Sequence, residues 1–407
     1  MYQLHQLSNG IRIIHKATSS EVAHCGLAIN SGSRDEHESE QGLAHFIEHV
    51  IFKGTHKRKT HHILSSMENV GGEMNAYTTK EDTCIHASFM PRYYDRWFEL
   101  LADIITNSTF PEKEIQKEKE VIIDEINSYK DNPGEQIFDD FDDLVFSGHP
   151  LGRNILGKPG TLKKFEKKHI EEFILRTYVP GAMVISSVSK LPFSSIVALA
   201  EKHFGKMIAK ERINGRKSFG GFTPVKKIVK RRNHQAHCVM GGLAYAADNP
   251  QKTALTLLNN LLGGPGLNSR LNMGVREKHG FCYHIESNYH PYSDAGIFTI
   301  YFGTSAMGVE KTLSLVNKEL QRIRTEKLGS LQLKRAKEQF LGQISISLES
   351  NLAEMLSMGK SLLMFDKVDS MEVIFNRIEA ITASELLEVA NDVLDPNKFS
   401  QLIFLPR

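Results

Sequence analysis

The order of secondary-structure signals in the first half of this chain returns in the second, and that repetition restricts the fold more than any single segment does. YQLHQLSNGIRIIHK reads as strand, Ser-Asn-Gly turn, strand, and VAHCGLAINSGSRDE as a further strand running into a Gly/Ser turn. A helical pattern begins near Gln41 and resumes over 58–70, and GGEMNAYTTKEDTCIHASFM then reads as two strands around a polar turn. Helices are expected over 93–106 and 111–129, with Pro111 suited to an early helical position. Beyond residue 224 come a strand (HCVMGGLAYA), a helix (KTALTLLNNLL), two strands (CYHIESNYH and GIFTIYFGT) and further helices. Laid over one another, KEIQKEKEVIIDEI and LQLKRAKEQFLGQI agree in apolar spacing, with Glu125 opposite Gln343, and HFIEH falls opposite LLNNL. The pattern suggests two halves of similar fold, of which only the first carries the ionisable residues.

A length of 407 residues exceeds one small core. The stretch between Gly205 and Pro224 is rich in Gly, Lys and Arg and lacks a sustained apolar period. A linker is therefore set at 213–224, between a first half of 1–212 and a second of 225–407. Fifty basic residues against 48 acidic ones leave a net charge of +2, which gives no support to a nucleic-acid or membrane-surface role. The most basic run, Lys226 to Arg232, reads as a solvated strand or linker face. Cys25, Cys84, Cys238 and Cys282 form no C-x-x-C pair, which argues against a disulfide scaffold or a thiolate zinc site and for a reducing compartment. The opening segment reads as neither a signal peptide nor an import leader, and no stretch approaches the roughly 18 apolar residues of a membrane span. A cytoplasmic protein is expected.

The segment GLAHFIEHVIFKGT, Gly42 to Thr55, concentrates the chemistry. On a helix, Leu43, Ala44, Phe46, Ile47, Val50 and Ile51 share one apolar sector, while His45, Glu48 and His49 fall within about 100° of arc on the other side. Side chains at i and i+4 point the same way, so both imidazoles can reach one ion at about 2.0–2.1 Å. Glu48 would sit beside that ion without binding it, where a general base has to be. A solvated helix face would show the same pentapeptide, and catalytic zinc needs a third protein ligand.

FPEKEIQKEKEVIIDEINSYK offers that ligand. Ile115, Ile122, Ile126 and Tyr129 form an apolar stripe, and Glu118 and Glu125, seven apart, project at its edge. A carboxylate turned toward a core is costly unless it is paired or binds a metal. By themselves both would pass for members of a Lys/Glu-rich surface helix. Beside the His pair, Glu125 becomes the third ligand and Glu118 a group that orients a ligand histidine. His61 and His62, adjacent on a helix and expected to diverge, form no second site.

These residues resemble the pitrilysin/insulinase family of inverted-motif zinc peptidases, and within it the short branch that contains the β-subunit of the mitochondrial processing peptidase and its bacterial relatives. The likeness runs through LSNGIRII, NSGSRDE, GLAHFIEHVIFKGT, NVGGEMNAYTTKEDT, EKEVIIDEI, HPLGRNILG and NSRLNMGVREKHGFCY, and the 75 residues between His49 and Glu125 fit the family separation. The resemblance implies an α+β chain of two homologous half-domains, each an antiparallel-rich sheet flanked by helices, related by pseudo-symmetry. It implies one Zn²⁺ per chain and hydrolysis of short or unfolded peptides inside a clamshell of two chains. It implies that Asn75, Ala76, Tyr77 and Thr78 add a substrate strand to a sheet edge, and that Arg276 and Tyr283 match a pair that stabilises the oxyanion from across a dimer interface. Since one chain carries both sets, a homodimer is expected, with peptides as partners and no nucleic acid or membrane. LLGGPGLNSR resembles a shortened Gly-rich loop of the processing peptidase α-subunit, and reads equally as a helix-ending turn. A non-catalytic peptide-capturing subunit or an assembly protein on the same fold are the alternatives.

Overall fold

Buried strands dictate the layering. The computed structural model describes residues 2–212 and 215–407, so Ile213 and Asn214 of the expected linker lie outside the described residues. In the first sheet, β3 (Ala23–Ile29) and β6 (Met183–Ser189) are buried along nearly their whole length, a pattern that requires cover on both faces. With β1 (Tyr2–Gln6), β2 (Arg12–Ala17), β4 (Glu73–Thr78) and β5 (Thr83–Phe89) they form the order β1-β2-β6-β3-β5-β4. Only β2–β6 is parallel. The second sheet joins β7 (Lys226–Arg231), β8 (Ala236–Ala244), β9 (Cys282–Pro291), β10 (Gly296–Thr304) and β11 (Ser400–Pro406) in the order β7-β11-β8-β10-β9, and only β7–β11 is parallel. Position by position, β7, β11, β8, β10 and β9 repeat β2, β6, β3, β5 and β4. The α+β repeat read in the sequence is thus present, and among the described residues β1 is the one strand without a counterpart.

Each sheet carries several helices on one face and a single helix on the other. On the first, the helices Leu43–Val50, Tyr94–Asn107 and Phe193–Phe204 bury Phe46, Trp97, Phe98 and Phe204 against Leu27, Ile85 and Ile185. The opposite face is covered by Asn351–Phe365, through Met355, Met358 and Leu362 against Ile14, Ala28, Val184 and Val188. On the second, Lys252–Gly263, Val309–Thr325 and Ala383–Val393 pack on one face, while Pro133–Val145 covers the other through Ile137, Phe141 and Val145 against Val239, Leu402 and Phe404. The compact units are consequently discontinuous in sequence. One comprises 1–127, 153–216 and 346–370, the other 128–152, 217–345 and 371–407. They differ from the contiguous stretches 1–212 and 225–407 because each sheet takes its lone covering helix from the other half of the chain.

Two backbone contacts set where the helix Leu43–Val50 begins. Gly42, its N-cap, has φ +94°, and Gly157, with φ +74°, lies so close that a Cβ on Gly157 would stand 2.4 Å from the Gln41 carbonyl oxygen and 2.5 Å from the Gly42 Cα. Neither position tolerates a side chain without moving the helix start. Gly157→Ala is expected to cost about 1–3 kcal/mol, from the left-handed φ and the overlap together. A lower urea midpoint at unchanged slope would check this.

Candidate metal centre

The helix Leu43–Val50 is held at its N-terminus by a carboxylate from outside it. Glu36, 4 % exposed, accepts the backbone N–H groups of Gly42 (3.1 Å) and Ala44 (2.9 Å), and Arg153 donates to the Glu36 carbonyl oxygen at 2.8 Å. Carboxyl oxygens there satisfy donors that the helix start leaves unpaired. Burial pushes the Glu36 carboxyl up to about 8, against the opposing pull of the Ala44 and Gly42 N–H groups and of Arg153. Neither Glu36 nor Arg153 stood out in the sequence. The available signal was an acid a few residues ahead of a helix start.

Almost no part of this helix is a solvated face. Leu43, Ala44, Phe46, Ile47 and Val50 are buried as their spacing required, but so is His45, at 9 %. Phe46 packs edge-on to Phe165, with ring centroids 5.5 Å apart. The two imidazoles are 4.7 Å apart, edge to face. Burial, and then the neighbouring His49, lower the His45 pKa to about 4, so this imidazole is neutral near pH 7, the form in which histidine coordinates a metal.

The helix Glu112–Lys130 brings the carboxylates. Ile115, Ile122 and Ile126 are buried and fix its rotation, which carries Glu118 and Glu125, two turns apart, to the same side. Glu118 accepts from His49 Nδ1 at 3.1 Å and from Lys53 Nζ at 2.7 Å. An ionised carboxylate only accepts, so His49 carries its hydrogen on Nδ1 and turns the Nε2 lone pair outward. That Nε2 lies 3.8 Å from one Glu125 oxygen, and His45 Nε2 lies 3.9 Å from the other. Among the described residues, His45, His49 and Glu125 are the one group of three whose donor atoms lie within 4.8 Å of one another. Separations of 3.8–3.9 Å are too long for hydrogen bonds, but near the roughly 3.3 Å edge of a tetrahedron with bonds of about 2.05 Å. Two imidazoles and a carboxylate are also the donor chemistry of a catalytic zinc site.

Glu48 points into the same region. One carboxylate oxygen is buried without a hydrogen-bond partner, as is His45 Nδ1. Burial raises the Glu48 pKa; Thr78 of β4 is the largest opposing influence. The buried Tyr178 phenol, absent from the sequence reading, lies within the field of Glu48; its pKa is pushed up first by burial and in part by that carboxylate. β4, which holds Asn75, Ala76, Tyr77 and Thr78, is an edge strand, paired on one side only, with β5.

Not everything gathers here. Arg276 and Tyr283 belong to the other compact unit. Arg276 lies in a π-helical turn, Asn272–Glu277, and donates to Asn272 Oδ1 at 3.2 Å; Tyr283, on β9, is 77 % exposed. His61 and His62 do not diverge: their rings approach to 3.9 Å between centroids, and both are exposed. The four cysteines are free and buried.

Comparison with known proteins gives the family. The family description Insulinase (Peptidase family M16) matches residues 12–159, and the description Peptidase M16 inactive domain matches residues 164–340. An uncharacterized zinc protease of Bacillus subtilis is 32 % identical, over 97 % of this chain and 96 % of that protein. The chain belongs to peptidase family M16, the insulinase family. An uncharacterized zinc protease of Rickettsia felis is likewise 32 % identical to this M16 chain, over 99 % and 97 % of the two. Two solved structures share the fold at 19 % identity. A peptidase M16 inactive domain from Pseudomonas fluorescens has a TM-score of 0.92, covering 100 % of this chain and 98 % of that one. A protease from Helicobacter pylori has a TM-score of 0.89, covering 100 % and 99 %. No helix among the described residues is long and apolar enough to cross a membrane.

The Glu118 contact generates a test. Glu118→Gln keeps the size of the side chain but removes the charge that faces His49 and Lys53. Zinc affinity is expected to fall about 10–100-fold, read by competition against a chromophoric chelator.

Proposed function

We propose that this chain is a zinc-dependent metalloendopeptidase, in which His45, His49 and Glu125 hold the ion and Glu48 is the general base. The observation that carries the reading is the convergence of His45 Nε2, His49 Nε2 and the Glu125 carboxylate beside a buried Glu48 oxygen without a partner. Bound zinc supplies a Lewis acid that polarises the scissile carbonyl and makes water a nucleophile near neutral pH.

The protein's own groups do the rest. Glu118, held by Lys53, keeps His49 in the tautomer that presents Nε2. Glu48 accepts a proton on its carboxylate from the attacking water and returns it to the departing amide nitrogen. Its burial favours this shuttle, since a raised pKa brings the carboxylate closer to the working pH. The free edge of β4 is the substrate strand, with Asn75 to Thr78 pairing an extended peptide backbone; the pairing of β4 on one side only among the described residues supports this placement. Arg276 and Tyr283 serve a partner copy, donating to the developing oxyanion, so the working form is a homodimer enclosing a chamber, with one zinc per chain. The exposure of Tyr283 is consistent with that role. Substrates are short or unfolded peptides, and the setting is cytoplasmic.

Glu48→Gln should retain one zinc per chain by elemental analysis yet lower kcat/KM on a fluorogenic peptide by at least about 10²-fold. Parental activity in that variant would overturn the assignment. Glu125→Ala or His45→Ala should instead lose the metal. A zinc-loaded parental chain that cleaves no peptide in a complex mixture would turn the reading toward a non-catalytic peptide-capturing subunit.

A further inference from the structure

The basic run at the start of the second sheet has no part in the chemistry above. It forms β7, which among the described residues pairs with β11 and with nothing on its other side. In the first sheet the equivalent strand, β2, is closed off by β1; among the described residues the second sheet has no such strand. Residues along β7 therefore direct backbone N–H and C=O groups away from β11 into the open. Its side chains match that exposure. Lys226, Lys227, Lys230 and Arg232 are exposed, and Ile228 is 63 % exposed. Lys226, Lys230 and Arg232 make no ion pair among the described residues, whereas Arg231 is held by Asp140.

Beside this edge runs a groove of 480 Å³ between β7 and the helix Val309–Thr325. Its apolar lining comes from Ile228, Leu313 and Ile403, and Ile228 lies in register with Ile403, so the two share one face of the sheet. Glu310 is the one acid in the lining, outnumbered there by Lys226 and Lys227.

We infer that the free edge of β7 is a docking site for an extended acidic segment of a partner protein, which adds as a strand to the second sheet. Main-chain hydrogen bonds would supply the affinity and the side-chain pattern the selectivity. Lys226, Ile228 and Lys230 alternate on one face. The matching strand carries acid, any residue, apolar residue, any residue, acid: its apolar side chain extends the layer over Leu313 and its acids face the lysines. A second copy of β7 is a poor occupant, because lysines would stand opposite lysines. The edge thus excludes self-pairing while it attracts an acidic strand.

The test uses the full chain carrying Glu48→Gln, so that the probe stays intact, and fluorescein-labelled Thr-Glu-Thr-Val-Thr-Glu-Thr, followed by anisotropy. Saturable binding is expected, weakened at least tenfold by Lys226→Glu with Lys230→Glu and lost when lysine replaces glutamate in the peptide. N-methylation of alternate peptide amides should also weaken binding at least tenfold on the parental edge, an arm that needs no folded variant. Equal binding by the doubly substituted chain would place the peptide elsewhere, β4 included, and overturn the inference. Equal binding of the N-methylated peptide would reduce the contact to charge attraction and overturn it too, as would no saturation up to millimolar peptide. None of these readouts depends on zinc or hydrolysis, so they stand or fall apart from the proposed activity.

Discussion

An ionisable side chain taken out of water must find a partner or lose its charge. This protein carries His45 and Glu118 into a buried layer with Glu48 half-buried beside His49, and the local architecture follows from how each is accommodated. Glu118 meets Lys53 with one oxygen and His49 with the other. His45 gives up its charge, its pKa depressed by burial and by His49. Glu48 is left partly unsatisfied, with one oxygen sealed from solvent and from any donor. Keeping such a group in place costs free energy that an apolar side chain would not.

The two carboxylates on the helix Glu112–Lys130 divide the work by exposure. The Glu118 side chain is nearly enclosed, and it fixes the orientation of an imidazole. The Glu125 side chain is 44 % exposed and leans toward both histidines without bonding to either. The enclosed carboxylate has a partner on each oxygen, while the exposed one has neither imidazole within hydrogen-bond distance. Both positions derive from one helix rotation, which Ile115, Ile122 and Ile126 set by packing into the core.

How much of this was legible depended on whether the signal was local. The His45–Glu48–His49 arrangement is a property of one helical turn, and Glu125 and Glu118 were visible as acids beside an apolar stripe. β3, β5, β8 and β10 were readable because their burial gives apolar runs. β6 and β11 were not: MVISSVS has three serines, which become tolerable only because partners such as His15, Tyr94 and Met355 arrive from elsewhere to meet Ser187 and Ser186. The support of the motif helix by Glu36 was hidden for the same reason, since a cap supplied across a turn leaves no periodicity. The π-helical turn under Arg276 is a shift of backbone hydrogen bonds by one residue, and no side-chain pattern announces it. The discontinuous units were beyond reach, because Pro133–Val145 and Asn351–Phe365 are ordinary amphipathic helices whose addresses are set only by the sheet they finally cover.

That last feature bears on how far the two halves of the chain can stand apart. Since each sheet is roofed by a helix encoded in the opposite half, neither half alone can shield Ile14 and Val184, or Val239 and Phe404, from water. A single repeat would need to cover the same face with a helix of its own or with one from a second copy, so the exchange of Pro133–Val145 and Asn351–Phe365 ties the two halves of the present chain together.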